Sequence, residues 1–567
     1  MNEPSPINAS SRREVRCLWA ALALAACLYC LNLGARDIWE NAGARVLIVA
    51  KEMAEGGSWF RPNMYGRPRY DKPPLMYWAT VLAARIQGRL DVDSAECVSA
   101  LSSVAIFFAL AATVGVAAGW RAGALAGLLC ALSPGIFDFG RSAQLDSLFA
   151  ACTTLSVLSF ALWNLGVGRR PAVWIVPAGV AFGLAVLAKG PHALSFAIAP
   201  PVLFLALRRR LNGRAILGLL AAVAIGLGIT GLWMLLAYRE DPSFFGHIGA
   251  VVKGEAEQHN PEPWYYYWKR SLGWTAPWVA LLPAIWPRRK EIDLETRRDA
   301  LARLFGVACV FGIVLLSAIP GKQGHYILPL IPFAMGWMAI RLDARLSPAG
   351  GEWTPGWRQR WILWFLAAMV FILGILAVAG LFLPPRFAPD RPYPFIAAAL
   401  EVVLGIGGAA VAFVAFRRKG LAMTLCGAAL GLSALGIVYY ATVVPMRNAN
   451  ESPRTACAEI LRLVGSPASL AEVSGHKEMI DYFLGDRPEH FESDSKNRAW
   501  LSRPETSFLL FFGHRLDVQR QERALKDVEC SMIRAFEHFT SSDRIARLYA
   551  NPAGAEQARQ RQTDSGR

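Results

Sequence analysis

Residues 97–119 read CVSALSSVAIFFALAATVGVAAG, a run with no charged side chain. At about 1.5 Å of rise per residue, a helix of this length crosses the roughly 30 Å hydrocarbon core of a bilayer. A helix satisfies its own backbone polar groups, which lets such a run lie in lipid. Working outward, thirteen apolar runs recur from Val15 to about residue 445, near 15–34, 97–119, 122–138, 145–166, 172–188, 191–207, 215–237, 272–286, 304–319, 326–340, 361–383, 394–415 and 421–444. The 567 residues are 54% hydrophobic and 18% charged, with mean hydropathy +0.32, too apolar for a soluble domain of that size. The fold class expected is an all-α polytopic membrane protein with about thirteen transmembrane helices. The first run is too long for a signal-peptide core and ends without a clear small-residue cleavage site, so it reads as a retained anchor.

Lys and Arg number 59 against 43 Asp and Glu, a net charge of +16. In a soluble protein that excess would suggest nucleic acid, but here its placement explains it and no nucleic-acid partner is expected. Basic clusters at Arg12, Arg13 and Arg16, at Arg169 and Arg170, at Arg208 to Arg210, at Arg288 to Lys290, at Arg358 and Arg360, and at Arg417 to Lys419 fall in every second inter-span loop. They therefore share one face, which the positive-inside rule makes cytoplasmic. The expectation is a multi-pass protein with its N-terminus inside, its C-terminus outside, and membrane lipids as its surroundings. Most of the cysteines lie in or beside apolar spans as small buried hydrophobes. Cys457 and Cys530 lie in the exported tail, where a disulfide is one of two open readings.

Residues 1–445 are expected to form the transmembrane domain, with long outer loops at 35–96 and 239–271. In the first loop, ENAGARVLIVAKEMAEGG (40–57) has apolar spacing suited to a helix lying at the interface. DKPPLMYWATVLAARIQG (71–88) reads as a second such helix, with its proline pair at the first turn, where a missing N–H costs nothing. The second loop carries WYYYW at 264–268, aromatic side chains expected at headgroup level. Residues 446–550 read as a small exported α/β domain, with strand-like runs at 507–513 and near IARLYAN. Residues 551–567 read as a disordered tail.

Ionisable groups that interrupt apolar segments are costly at membrane depth and tend to be functional. Asp146 opens the fourth span, Lys189 closes the fifth, and Lys322 and Tyr326 lie between the ninth and tenth. The arginine clusters place all four on the face that carries the long loops. Lys72, Lys189 and Lys322, with Arg45, make a set suited to a phosphate beside a hydrocarbon phase. Taken singly, each lysine reads as a snorkelling interfacial residue; three in Lys-Pro, Lys-Gly or Gly-Lys turns favour a shared anion site. His247 and His325 read as interfacial polar residues.

The motifs RYDKPPLMYW, GRSAQLDSLFA, GLAVLAKGP, FFGHIGAVVKGEAEQHNPEPWYY and SAIPGKQGHYILPLIP, in that order, resemble the aminoarabinose transferase branch of the C-type membrane glycosyltransferases. That branch is related to the protein O-mannosyltransferases. The resemblance covers residues 15 to about 345 by motif and the rest by architecture. It implies a bacterial inner-membrane enzyme that moves a sugar from a polyprenyl-phosphate donor to an outer-face acceptor, with inversion, acting as a monomer. Arg45, Lys72, Lys189, Lys322 and Tyr326 would then contact the donor phosphate, and Asp146 would be a site carboxylate. Asp71 and His259 match positions that can approach a divalent ion, zinc, magnesium or manganese, although no HExxH or CxxC spacing supports one.

One departure bears on the chemistry. The family pattern has an Asp-Glu pair three and two residues before the arginine that matches Arg45, and this chain has Ala42 and Gly43 there. Glu40 is the nearest acid and the candidate to substitute as catalytic carboxylate, although at five residues from Arg45 it falls on a different helical face. A hydroxyl acceptor needs a general base, whereas a phosphate acceptor is already anionic. The loss therefore points to a phosphorylated acceptor, as on lipid A, or to Asp146 serving alone as base. Another glycolipid, a polysaccharide or a protein remain as acceptors. Two other classes stay open: a lipid-linked sugar flippase, and a non-catalytic homologue that keeps the donor pocket. Flippases tend to hold such residues near the bilayer midplane, whereas here they gather at one end.

Overall fold

The computed structural model describes residues 9–249, 262–288, 293, 295–319, 321–346 and 444–564, apart from 474–477, 486–487, 492–493, 524 and 537–543, with a few positions between 357 and 368. Helices α1 (Ala9–Cys30), α2 (Asn41–Ala54), α3 (Leu75–Gln87), α4 (Val92–Ala118), α5 (Trp120–Ala131), α6 (Pro134–Phe139), α7 (Asp146–Asn164) and α8 (Ile175–Lys189) follow one another along the chain. A two-residue hairpin, β1 (Asn63–Met64) with β2 (Arg67–Pro68), projects between α2 and α3.

Among the described residues, six helices are long and apolar enough to cross a membrane: Val92–Ala118, Asp146–Asn164, Pro171–His192, Gly213–Glu240, Arg297–Ala318 and Gly324–Leu346. The runs expected at 122–138, 191–207 and 272–286 form shorter helices instead. Proline explains the interruptions: Pro134 starts α6 after a break at Leu132–Ser133, and Pro277 and Pro283 divide the third. The last three expected runs fall outside the described residues, except for a few positions. The observed fold is a largely helical, multi-pass membrane bundle.

Its main core is packed by Phe107 and Leu110 of α4, Leu125 and Leu129 of α5, Phe305, and Phe333. Elsewhere two helices approach closely. A Cβ at Gly179 of α8 would lie 2.6 Å from the carbonyl oxygen of Ala222, and one at Gly183 would lie 2.9 Å from the Cα of Gly226. Small residues four apart let backbones meet where lipid supplies no hydrophobic drive.

The two ends of the bundle differ. At one end Arg121 pairs with Asp343 at 2.6 Å, Arg341 with Asp299 at 2.5 Å, and Arg210 with Glu295 at 2.9 Å. These residues sit at the termini of their helices opposite to Asp146, Lys189 and Asp241, so the polar groups treated below gather at the other end.

Residues 454–564 hold a five-stranded sheet ordered β4-β3-β5-β7-β6. Its strands are β3 (Leu470–Val473), β4 (Glu489–Phe491), β5 (Phe508–His514), β6 (Ser531–Phe536) and β7 (Arg544–Ala550). β3 pairs in parallel with β4 and β5, while β7 runs antiparallel to β5 and β6. Phe508 to Phe512 are all buried, as a central strand covered on both faces requires. Cys457 packs with Phe508, Leu510 and Phe512 on one face, and Cys530 packs beside Leu509 and Phe511 on the other. Both are free thiols, so the sheet itself separates the pair and no disulfide joins them. The stretch expected to be disordered from 551 onward is different: Pro552–Asp564 is a helix whose Ala555 and Ala558 are buried.

Helix α2 also differs from the expected helix lying at the interface. Val46, Leu47, Ile48, Val49 and Ala50 are all buried, because Met479 of the C-terminal unit joins the cluster formed by α2, α3 and the start of α4. Tyr482 donates a hydrogen bond to Asp91 at 3.1 Å, and Arg454 pairs with Asp37 at 2.7 Å. The unit is therefore fastened onto the segment that the sequence marks as a long loop.

Candidate active site

Asp146 is the first residue of α7 and Lys189 the last of α8. Their helices run side by side, so these termini meet. Lys189 Nζ donates to Asp146 Oδ1 at 2.5 Å, with side chains 10% and 7% exposed. A buried charge pair of this kind is costly to assemble and more costly to break on one side. His325 Nε2 lies 3.8 Å from the same oxygen. The Lys189 ammonium also stands 4.8 Å from the Tyr326 ring centroid and 5.6 Å from that of Phe149, a cation held over aromatic faces.

The turn before α3 approaches from a second direction. Pro74 N-caps α3, and the preceding residues are pinned: Arg69 grips Asp71 with two hydrogen bonds of 2.7 and 2.9 Å, and Tyr70 donates to Asp241 at 2.9 Å. Lys72 follows on this turn, and its charge is felt at Asp146, His325 and Asp71. Burial pushes the Asp71 carboxyl up, but the Arg69 guanidinium, with Lys72 and Arg45 beyond it, holds it below its usual range. Burial raises the Tyr70 hydroxyl, reinforced by its bond to Asp241.

The remaining expected residues are placed as follows. Arg45 donates through Nε to Glu478 Oε1 at 2.6 Å. Lys322 Nζ donates to the carbonyls of Ile319 at 2.8 Å and Glu262 at 3.1 Å, so its described hydrogen bonds hold backbone and do not reach Asp146. Glu40 is exposed and accepts from the Gln144 side chain at 3.1 Å, two residues before Asp146. His259 lies outside the described residues. Within WYYYW, Trp264, Tyr265 and Trp268 are exposed, but Tyr267 is buried and donates to the Gln323 carbonyl at 3.2 Å.

Asp71 and His259 are the residues expected to approach a divalent ion, and of the two only Asp71 lies among the described residues. Both of its oxygens accept from Arg69, and among the described residues no group of three His, Cys, Asp or Glu is placed to hold a metal.

Three functional candidates escape a reading by motif. His325 reads in the sequence as an interfacial residue, although its neighbour Tyr326 carries the signal. Arg270 lies over Trp274 at 5.0 Å and its charge reaches His325; nothing in the sequence singles it out from other loop arginines. Glu478 comes from a position 433 residues away from Arg45, beyond any local pattern.

Comparison with known proteins gives the same outline. A family model described as "Dolichyl-phosphate-mannose-protein mannosyltransferase" matches residues 71–233. A relative from Aeromonas salmonicida, an undecaprenyl phosphate-alpha-4-amino-4-deoxy-L-arabinose arabinosyl transferase, is 26% identical over 85% of this chain and 91% of its own length. Two proteins of that description from Pseudomonas fluorescens are 26% and 28% identical, and the chain spans only 56% and 57% of their length. The crystal structure of ArnT from Cupriavidus metallidurans bound to undecaprenyl phosphate superposes with a TM-score of 0.72 at 19% identity, covering 94% of this chain and 97% of that one. That likeness shows a shared fold. With the motifs in order and the family model matched over residues 71–233, the chain is similar in sequence and in fold to the C-type membrane glycosyltransferases of the aminoarabinose transferase and protein O-mannosyltransferase kind.

Proposed function

We propose that this chain is an inverting membrane glycosyltransferase that takes a sugar from a polyprenyl-phosphate donor and passes it to a phosphate-bearing acceptor such as lipid A. The observation that carries the proposal is the meeting of Asp146, Lys189, His325 and Tyr326 at one end of the bundle, with the Lys72 charge acting on the same point. The relatives named as arabinosyl transferases using an undecaprenyl-phosphate sugar support the donor class.

In this reading Lys72, Lys189 and Arg45 hold the donor phosphate, with Tyr326 beside Lys189 and Lys322 at the rim. An acceptor phosphate oxygen attacks the anomeric carbon from the opposite face. The bond from that carbon to the donor phosphate oxygen breaks, and polyprenyl phosphate leaves with the electron pair, its charge neutralised by the cations. No proton need be removed from a phosphate acceptor. That suits a site whose Asp146 is already engaged by Lys189 and which has Ala42 and Gly43 where an acid could stand. No step runs through a divalent ion at Asp71. The proposal also places thirteen spans in a bacterial inner membrane, with the site and residues 446–564 on the periplasmic side.

The absent acids favour a second reading, a homologue that binds donor without transferring it. One experiment separates the readings. Purified chain in nanodiscs receives a labelled undecaprenyl-phosphate sugar and lipid A. Transfer is expected, falling about a hundredfold in Lys189→Met and unchanged in Arg210→Met at the opposite end. Binding without transfer supports the non-catalytic reading. Lipid movement across vesicles without transfer makes the chain a flippase.

A further inference from the structure

We infer that Glu478, carried by the C-terminal unit, is the positioning residue that presents Arg45 to the donor phosphate, an inference resting on the donor reading above. Arg45 sits on α2 with no acid in the turn before it, since positions 42 to 44 are Ala, Gly and Ala. Glu40 is committed to Gln144. The carboxylate that Arg45 meets instead is Glu478, at 2.6 Å from Nε.

The geometry of that contact is selective. The Glu478 side chain is 9% exposed and that of Arg45 is 40% exposed, so the acid is the buried anchor and the guanidinium the presented group. Among the described residues, the hydrogen bond of Arg45 runs through Nε. A guanidinium carries further N–H donors on its two terminal nitrogens, and these can grip a phosphate. The pair also acts on the turn that carries Lys72: the charge of Arg45 is felt at Asp71, and that of Glu478 at Arg69.

Glu478 is itself fixed. It opens the helix Glu478–Leu484, where a negative charge suits the helix N-terminus. Its neighbour Met479 is buried against α2, and Asp481 accepts from the Tyr65 hydroxyl of the β1–β2 hairpin. An arginine held in advance loses less side-chain freedom when the phosphate arrives. Docking of the C-terminal unit thus completes the donor site with a residue that the transmembrane part does not contain.

The test is equilibrium binding of undecaprenyl phosphate to the full chain in nanodiscs. Glu478→Gln is expected to weaken binding about tenfold, Arg45→Gln by at least as much, and the double variant no more than Arg45→Gln alone. Glu478→Asp should recover part of the loss. Tyr65→Phe, which removes a neighbouring bond in the same interface, should leave binding unchanged, so that general loosening of the unit is told apart from loss of the carboxylate. Unchanged or tighter binding by Glu478→Gln, or losses that add in the double variant, would overturn the inference; tighter binding would mean that Glu478 competes with the phosphate. A wild-type chain that fails to bind undecaprenyl phosphate would overturn the donor reading and this inference together.

Discussion

Asp71 shows how one residue of a motif acquires its job from its neighbours. The sequence puts it beside Lys72, ahead of two prolines, and leaves open whether it shapes the site or binds metal. The structure gives both of its oxygens to Arg69, and the field of Arg69, Lys72 and Arg45 holds its folded-state value below that of an unfolded aspartate despite burial. A depressed carboxylate stabilises the fold fully above the unfolded value, near pH 4, and loses that contribution as the pH falls through the folded value. Asp71→Asn should therefore unfold at a lower temperature than wild type at pH 7. The gap between the two should close as the pH is lowered below about 4. Melting followed by intrinsic fluorescence at a series of pH values measures this directly, and a gap independent of pH would show that Arg69 does not set the charge of Asp71.

At the scale of elements, α8 delivers Lys189 because two glycines let it lie against the helix Gly213–Glu240. A side chain at Gly183 meets backbone 2.9 Å away at Gly226, whereas one at Gly228, on the same partner helix, meets nothing within 4 Å. Gly183→Val should thus cost on the order of 1–3 kcal/mol through overpacking and shift the end of α8, reducing donor binding as well as stability. Gly228→Ala should leave both unchanged; equal effects from the two would remove the close approach as the cause. Spans of this kind were legible because lipid imposes a simple rule on composition, and Asp146, Lys189 and Tyr326 were legible because charge or polarity interrupts such a span. The breaks within 122–138 and 272–286 were not, since hydropathy registers apolar content and not where proline breaks the backbone. Helix α2 reads as lying at the interface for a related reason: periodicity reports one apolar face, and the cover on its other side comes from a distant segment.

At the scale of the molecule, the arginine count and the site geometry describe the same polarity from independent facts. Loop arginines pair with acids at one end of the bundle, while Asp146, Lys189, Tyr70 and the C-terminal unit gather at the other. What the sequence could not reveal was that this unit reaches back to Arg45, Tyr65 and Asp91, because contacts across several hundred residues leave no local spacing. Ser466 and Arg170 are both exposed, one in the C-terminal unit and one in the loop before α8. If the basic end faces the cytoplasm, a membrane-impermeant maleimide applied to spheroplasts should label a Ser466→Cys variant and spare an Arg170→Cys variant, with both labelled once the membrane is opened. Cys27 and Cys30 are exposed along α1 and would be replaced by Ala to remove background. Labelling of the two sites from the same side would invert the assignment of the donor pocket. The cations around Asp146 would then face the cytoplasm, where a sugar handed over at the outer leaflet could not reach them.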